Sequence, residues 1–260
     1  MKFRLLTYNI LHGGGTRVPE IAAVIKSCDP DLVLLQEATD PANVAKIAEA
    51  AGMADFRSVR RESLAFVSRK KVAFCEWVRP RVSRHAFIDI VPAGEKIRIF
   101  GVHLSAVHAA WTEQRRVLEL RALLKKIAHH RDRFHVLAGD FNTIAPGAKL
   151  DVGTLPLRLR PLLWLTGGRV RWRTIQTVLD AGYVDSFRML HPEDPGWTLP
   201  TKDPHIRLDY VFAPHAQAGR VIMCDVVRTN PASTASDHFP VIADLELDDL
   251  PPPPPDPLKP

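Results

Sequence analysis

The chain has 260 residues, 46% of them hydrophobic and 25% charged, with 35 Lys and Arg against 29 Asp and Glu for a net charge of +6. That composition excludes a disordered or collagen-like chain, and the length suffices to bury a core without help from disulfides or a structural metal. A modestly basic balance suits polyanionic partners such as nucleic acid or anionic lipid without choosing between them.

Short runs of β-branched and aliphatic residues predict strands over Phe3–Tyr8, Leu32–Gln36, Ser63–Ser68, Val72–Val78, Ala86–Val91, Ile97–His103, Phe134–Ala138, Leu208–Phe212, Val221–Val227 and Phe239–Leu245. Apolar residues at three- and four-residue spacing predict helices over Pro19–Ser27, Ala42–Ala51 and Trp111–His130. In the last, Val117, Leu120, Leu124 and Ile127 line one face, with Arg115, Arg116, Lys125 and Lys126 expected on the other. Hairpin-like strand pairs together with helix-linked strands point to an α/β chain with a two-sheet core flanked by helices. Residues 1–250 form the expected domain, with a surface insert at about 146–173 and a proline-rich tail at 251–260. Cys28, Cys75 and Cys224 are odd in number, far apart and set among apolar residues, which reads as free thiols. The N-terminal apolar run is too short for a signal peptide, and no stretch approaches the roughly 18 apolar residues of a membrane span. A cytoplasmic location is the expectation.

Polar residues collect where packing alone would place apolar ones. Asn9 closes Leu5–Asn9, Glu37 closes Leu32–Glu37 and His103 closes Ile99–His103. Asp140 and Asn142 follow Val136–Gly139, Asp209 opens Leu208–Phe212, and Asp237 and His238 immediately precede Phe239–Ile242. One polar residue at a strand end is ordinarily just solvated; six such strands are harder to attribute to chance. Glu37, Asp209 and Asp237, with the amides of Asn9 and Asn142, are hard oxygen donors suited to Mg²⁺ or Mn²⁺. A carboxylate-bound Mg²⁺ implies a phosphate-bearing substrate, and His103 and His238 supply hydrogen bonds or protons to it. Zinc is disfavoured, since no Cys or His pair has ligand spacing. There is no Gly-x-Ser-x-Gly elbow, and Gly13-Gly14-Gly15 lacks the Lys-Ser/Thr of a nucleotide-binding loop.

These segments resemble, in order, the motifs of the endonuclease/exonuclease/phosphatase superfamily: Thr7-Tyr8-Asn9-Ile10, Leu35-Gln36-Glu37, Val102-His103-Leu104, Gly139-Asp140-Phe141-Asn142, Arg207-Leu208-Asp209-Tyr210 and Ser236-Asp237-His238-Phe239-Pro240-Val241. The resemblance implies a deoxyribonuclease I-like four-layer α/β/β/α sandwich, two mixed sheets flanked by helices, with the site at one edge of the paired sheets. It also implies roles. Glu37, helped by Asn9, holds Mg²⁺ (or Mn²⁺), and Asp237 completes the metal site or holds a second ion. Asp140 orients or deprotonates the attacking water, and Asn142 steadies the phosphoryl oxygens. His238, oriented by Asp209, contacts the phosphate, and His103 contacts it or assists the leaving group. Which of Asp140 and His238 removes the proton stays open.

Two departures narrow the substrate. Abasic-site endonucleases of the family usually carry an acid or amide at the position of Leu11 and a tyrosine at that of His103. The Pro-Ala-Trp-Cys-Asp motif of inositol polyphosphate 5-phosphatases is missing. The leading expectation is a phosphodiesterase acting on nucleic acid, with His12, Arg207 and Trp197 as substrate contacts. Arg158, Arg160, Arg169, Arg171 and Arg173 are expected to track the phosphate backbone, with Trp164, Trp172 or Trp197 available for stacking unless they pack in the core. The alternatives are a phospholipid or sphingolipid phosphodiesterase docking an anionic surface through Leu155–Trp172, a small-molecule phosphatase, and, remotely, a non-catalytic binding protein. No obligate protein partner is evident.

Overall fold

The computed structural model of the protein describes residues 1–81, 83–106, 110–130, 133–148 and 172–248. In chain order its elements are β1 (Lys2–Asn9), α1 (Val18–Cys28), β2 (Leu32–Gln36), α2 (Pro41–Ala51), β3 (Asp55–Ser58), β4 (Ala65–Ser68), β5 (Val72–Val78), β6 (Phe87–Pro92), β7 (Arg98–His103), α3 (Ala110–Ile127), β8 (His135–Asp140), α4 (Arg173–Asp180), β9 (Tyr183–Asp185), α5 (Ser186–Leu190), β10 (Asp209–Pro214), β11 (Val221–Val226), α6 (Asn230–Ala235) and β12 (Val241–Glu246). They make two six-stranded sheets, ordered β11-β12-β1-β2-β4-β3 and β5-β6-β7-β8-β10-β9.

Each sheet is built around one parallel pair joined by a crossover helix. β1 and β2 run parallel across α1, with Asn9 opposite Gln36; β7 and β8 run parallel across α3, with His103 opposite Asp140. Antiparallel strands flank both pairs, so β12 enters beside the end of β1 (Val241 opposite Thr7) and β10 beside the end of β8 (Asp209 opposite Asp140). The helices begin and end where local chemistry dictates. In α2 the Asp40 side chain accepts the Ala42 N–H at 3.0 Å, Pro41 occupies the first turn, and Gly52 ends the helix in the left-handed region.

Period-two alternation sorts every strand into two faces. Phe3, Leu5, Leu32, Leu34, Phe66, Ile88, Ile90, Ile99, Val136, Ala138, Val211 and Ala243 fill the space between the sheets. Leu6, Tyr8, Val33 and Leu35 turn outward onto α1, α2 and α6. Phe100, Val102, Leu137, Tyr210 and Phe212 turn outward onto α3 and α4. The result is the four-layer sandwich expected from the sequence. Alternation also decides where the strand ends point: Asn9 continues Phe3, Leu5 and Thr7, His103 continues Ile97 and Ile99, Asp140 continues Val136 and Ala138, and Asp209 starts the row of Val211 and Ala213. All four belong to the inter-sheet faces, at one edge.

Several expectations need correction. Arg116 is not on the solvent face of α3; it is buried, ion-paired to Glu113 at 3.0 Å, and donates to the Ser105 carbonyl. Its burial is possible because Glu113 is buried beside it and also accepts from the Thr174 amide, tying α3 to α4. Trp172 and Trp197 do not pack in the core, being 44% and 38% exposed. Three helices (α4, α5 and α6) and the short strands β3 and β9 went unpredicted. Of the expected insert, residues 149–171, with Arg158, Arg160, Trp164, Arg169 and Arg171, lie outside the described residues, as does the tail. Cys28, Cys75 and Cys224 are free, the first and last buried. No helix among the described residues is long and apolar enough to cross a membrane.

Candidate active site

The carboxyl ends of parallel strands are where open α/β sheets place ligands, because the crossover loops there are free to carry polar groups. Here that rule operates twice, once per sheet, and the two ends face each other. The amide Nδ2 of Asn9 bridges them, 3.4 Å from Glu37 Oε1 on its own sheet and 3.0 Å from Asp140 Oδ2 on the other. Asn9 Oδ1 meanwhile accepts the Leu11 N–H at 3.0 Å. Asn9 thus bridges two carboxylates through its amide nitrogen, and its amide oxygen, which accepts one hydrogen bond from Leu11, retains a second lone pair.

The backbone aims the side chains. Glu37 and Asn142 both sit at positive φ, 56° and 51°, one residue past the end of β2 and two past that of β8. A left-handed turn at a non-glycine residue costs on the order of 1 kcal/mol, and here it swings each side chain back toward the slot. Glu37 Oε2 is fixed by the His12 amide at 2.7 Å, and Asn142 Nδ2 donates to the Leu104 carbonyl at 3.0 Å while its backbone N–H bonds Asp140 Oδ1 at 2.8 Å. Gly139, just before Asp140, lies so close to β7 that a Cβ there would meet the Val102 carbonyl at 1.9 Å. Only glycine lets Asp140 come this near His103.

Asp140, Asp209 and His238 form the tightest cluster, with ligating atoms all within 4.8 Å of one another. His238 Nδ1 bonds Asp209 Oδ2 at 2.9 Å, and Asp209 Oδ1 is buried with no hydrogen-bond partner. Burial alone would lower the His238 pKa, but the facing charges of Asp209, Asp140 and Asp237 override it and raise it to about 10. Asp140 moves the other way from a normal carboxylate: burial first, then the charge of Asp209, lifts it to about 7. A protonated His238 carries hydrogen on both ring nitrogens and is a cationic hydrogen-bond donor.

His103 is held quite differently. Its Nδ1 hydrogen-bonds the buried hydroxyl of Ser63, its ring stacks on His85 (centroids 4.8 Å apart, planes 15° apart), and its Nε2 lies 3.9 Å from Asp140 Oδ2. Burial, then neighbouring His85 and His238, push its pKa down to about 3, so the ring is neutral. Ser63 and His85 carry no motif and were not anticipated. A single serine before an apolar strand and a histidine in an arginine-rich loop give no signal in the sequence.

Asp237 is half-buried and near the Ser236 hydroxyl, which also anchors the Asn9 carbonyl at 2.7 Å. His12 is largely exposed, its Nδ1 3.6 Å from Glu37 Oε2. Trp197 is exposed, on a segment whose neighbour Thr198 accepts the Phe239 N–H at 2.7 Å. Arg207 is a correction: it is 6% exposed, doubly hydrogen-bonded to Asp185 and seated over the rings of Tyr210 and Phe187 at 4.6 and 5.3 Å. Its guanidinium is consumed inside the fold and is not offered to a substrate.

Charge decides what the site can hold. Glu37, Asp140, Asp209 and Asp237 have no Lys or Arg ion pair among the described residues; the basic side chains within 4 Å of the first three are His12, His103 and His238. His103 is neutral, leaving His238 as the buried cation facing several carboxylates. Such an excess of hard anionic oxygen, with Asp209 Oδ1 orphaned, fits a divalent cation bound by oxygen.

A slot of acids and imidazoles between two sheets defines a phosphoester-hydrolase type of fold, and the comparisons agree. The profile of the endonuclease/exonuclease/phosphatase family matches residues 6–238, and the chain belongs to that family. A variant of the 3′ phosphatase NExo from Neisseria, solved with a product DNA hairpin, superposes with a TM-score of 0.73 at 20% identity, covering 94% of this chain and 99% of that one. An AP endonuclease from Archaeoglobus fulgidus superposes with a TM-score of 0.70 at 18% identity, covering 93% and 98%. Humanized TDP2 from D. rerio gives 0.64 at 18% identity, covering 94% and 99%. Comparison with curated proteins finds no match.

Proposed function

We propose that the protein is a Mg²⁺-dependent phosphodiesterase that hydrolyses nucleic acid. The observation that carries this reading is the clustering of Asp140 and Asp209 on a cationic His238, with Glu37 tied to Asp140 through the amide of Asn9. Glu37 and Asp237, the more open pair, would hold the cation, with Asn9 orienting Glu37. When bound, the ion neutralises charge on the phosphoryl oxygens. Asp140, ionised above about pH 7, takes the proton of an in-line water, and Asn142 fixes the position of that carboxylate through its backbone N–H. His238 donates to the phosphoryl oxygens as a cation. His103 presents Nε2 as a neutral hydrogen-bond donor when Ser63 donates to Nδ1, a geometry suited to the leaving oxygen. Neighbours solved with a DNA hairpin or described as an AP endonuclease support nucleic acid as the substrate class.

The test is hydrolysis of single- and double-stranded DNA, RNA, sphingomyelin and an aryl phosphodiester, each with Mg²⁺ and with EDTA. Strand cleavage that EDTA abolishes, and that Asp140→Ala reduces by about two orders of magnitude or more, is expected. Cleavage of sphingomyelin or the aryl ester with no strand cut would overturn the nucleic-acid reading.

A further inference from the structure

Two loops flank His103, and each delivers one of its positioning contacts: residues 59–63 carry Ser63, and residues 79–81 and 83–85 belong to the loop of His85. The same loops are dense in arginine. Arg60, Arg61, Arg81 and Arg84 are all exposed, and their guanidiniums have no hydrogen-bond or ion-pair partner among the described residues. The nearby acid is already engaged: Arg79 Nη2 donates to both carboxylate oxygens of Glu62, at 2.6 and 2.7 Å, an ion pair that braces one loop against the other. Further bonds fix the platform to the core. The Arg84 backbone N–H donates to the buried Glu119 at 2.9 Å, and the Ser63 carbonyl accepts the Ala38 N–H, one residue from Glu37, at 2.9 Å.

The geometry points to a second binding surface: a rim of Arg60, Arg61, Arg81 and Arg84 that grips the phosphodiester backbone of a polynucleotide beyond the phosphate held in the acidic slot. This inference rests on the nucleic-acid reading and deepens it. Free guanidiniums beside an anionic pit are the wrong charge for the pit's own cation and the right charge for neighbouring phosphates, which arginine binds in bidentate fashion. A vesicle surface fits less well, because interfacial segments also need apolar anchors, and Val59 is the one exposed large hydrophobic residue on these loops among those described. The rim is also distinct from the arginines expected between 158 and 173.

The experiment is fluorescence anisotropy of a labelled 20-nucleotide single strand in EDTA, where nothing is cleaved, across a salt series. The combined variant Arg60→Gln, Arg61→Gln, Arg81→Gln, Arg84→Gln should bind at least tenfold more weakly, with a log–log salt slope shallower by about 3. The paired variants Arg60→Gln/Arg61→Gln and Arg81→Gln/Arg84→Gln should each lose part of this, which covers a folding failure of the full variant. A control with Lys26, Lys46, Arg121 and Lys125 on the outer helices changed to Gln removes the same charge and should bind like the wild type. Rim variants that are folded yet bind like the wild type overturn the inference, as does a wild type that ignores oligonucleotides and sediments with anionic vesicles. Turnover with Mg²⁺ separates the two ideas. Rim variants that still cleave and bind as the wild type does would sink the rim alone; rim-dependent binding without any cleavage would sink the hydrolase reading and leave the rim standing.

Discussion

Replacing Asp209 by asparagine tests the electrostatics of the site most directly. The amide keeps the size of the side chain and can still accept from His238 Nδ1, so the fold and ring orientation should survive. What disappears is the charge. His238 is raised to about 10 only because carboxylates, Asp209 foremost, outweigh a burial effect that acts in the opposite direction. Without Asp209 its strongest upward cause is gone, and the imidazole should titrate below its wild-type value, with Asp140 and Asp237 still favouring the cation. Once that value drops below the assay pH, each further unit lost removes about tenfold of the protonated fraction and of any step that needs the cation. Asp140 should also shift down, because the charge of Asp209 is one of the causes holding it up. In the wild type, the active pair of an ionised Asp140 and a protonated His238 spans about pH 7 to about 10. In the variant the whole bell of kcat/KM against pH should move toward acid, with its alkaline limb moving furthest. A stopped assay on a fluorescent oligonucleotide at saturating Mg²⁺ measures this, with circular dichroism confirming the fold. An alkaline limb that stays in place, in a folded protein retaining activity within threefold at about pH 8, would refute the reasoning.

Ser63→Ala removes the partner of His103 Nδ1. It should cost about 1 kcal/mol of stability and lower kcat about tenfold while leaving KM near its original value, because it frees the ring to rotate without touching the metal site; Ser63→Thr should restore kcat. Equal losses in the Ala and Thr variants would make the contact merely structural. Away from the site, Arg98 and Asp89 form a buried two-bond ion pair at 2.7 and 2.9 Å. Burial raises the Asp89 pKa despite Arg98, so the desolvation of that carboxylate outweighs the attraction of the guanidinium. Asp89→Ala alone should destabilise by about 3–5 kcal/mol in urea melts, while Asp89→Leu with Arg98→Met should come within about 1 kcal/mol of the wild type.

The parts of the molecule legible in the sequence were those where one physical signal dominates. Strands β2 and β5 appear at their expected bounds because their β-branched and aromatic runs are closed by clear polar or charged stops. The strand-end polar residues were legible because an apolar run that terminates in Asn9, His103 or Asp140 has no packing reason to do so. β3 was not, since Asp55-Phe56-Arg57-Ser58 offers one apolar residue on an edge strand that needs only one partner. α4 was not, because Arg173-Thr174-Ile175-Gln176-Thr177 is weak in helix formers and its helix depends on burying Ile175 and Val178 against α3. Arg207 misled for a related reason. A basic residue two positions before a site aspartate reads as a substrate contact, and only the distant Asp185 shows that it is internal. Ser63, His85 and Glu119 act through neighbours supplied by other elements, so no local window contains their meaning.

The two imidazoles show how much of the chemistry is set by such neighbours. His103 and His238 are the same residue type, about equally buried, and both end up beside Asp140. One faces the carboxylates Asp209 and Asp237 and is held as a cation; the other faces a serine hydroxyl and a second histidine ring and is held neutral. In the proposed hydrolysis, a pair of titratable groups driven apart in this way would divide the labour: fixed positive charge for phosphoryl oxygens on one side, a neutral donor for a departing oxygen on the other. Altering either environment should therefore be damaging even when the histidine itself is kept. A Ser63→Asp substitution would place a carboxylate against His103 and raise its pKa toward that of His238. If His103 serves as a neutral donor, that added charge should slow kcat even though both histidines and every metal-binding acid are retained; a folded Ser63→Asp variant with unchanged kcat across the pH range would show that the neutrality of His103 has no part in the reaction.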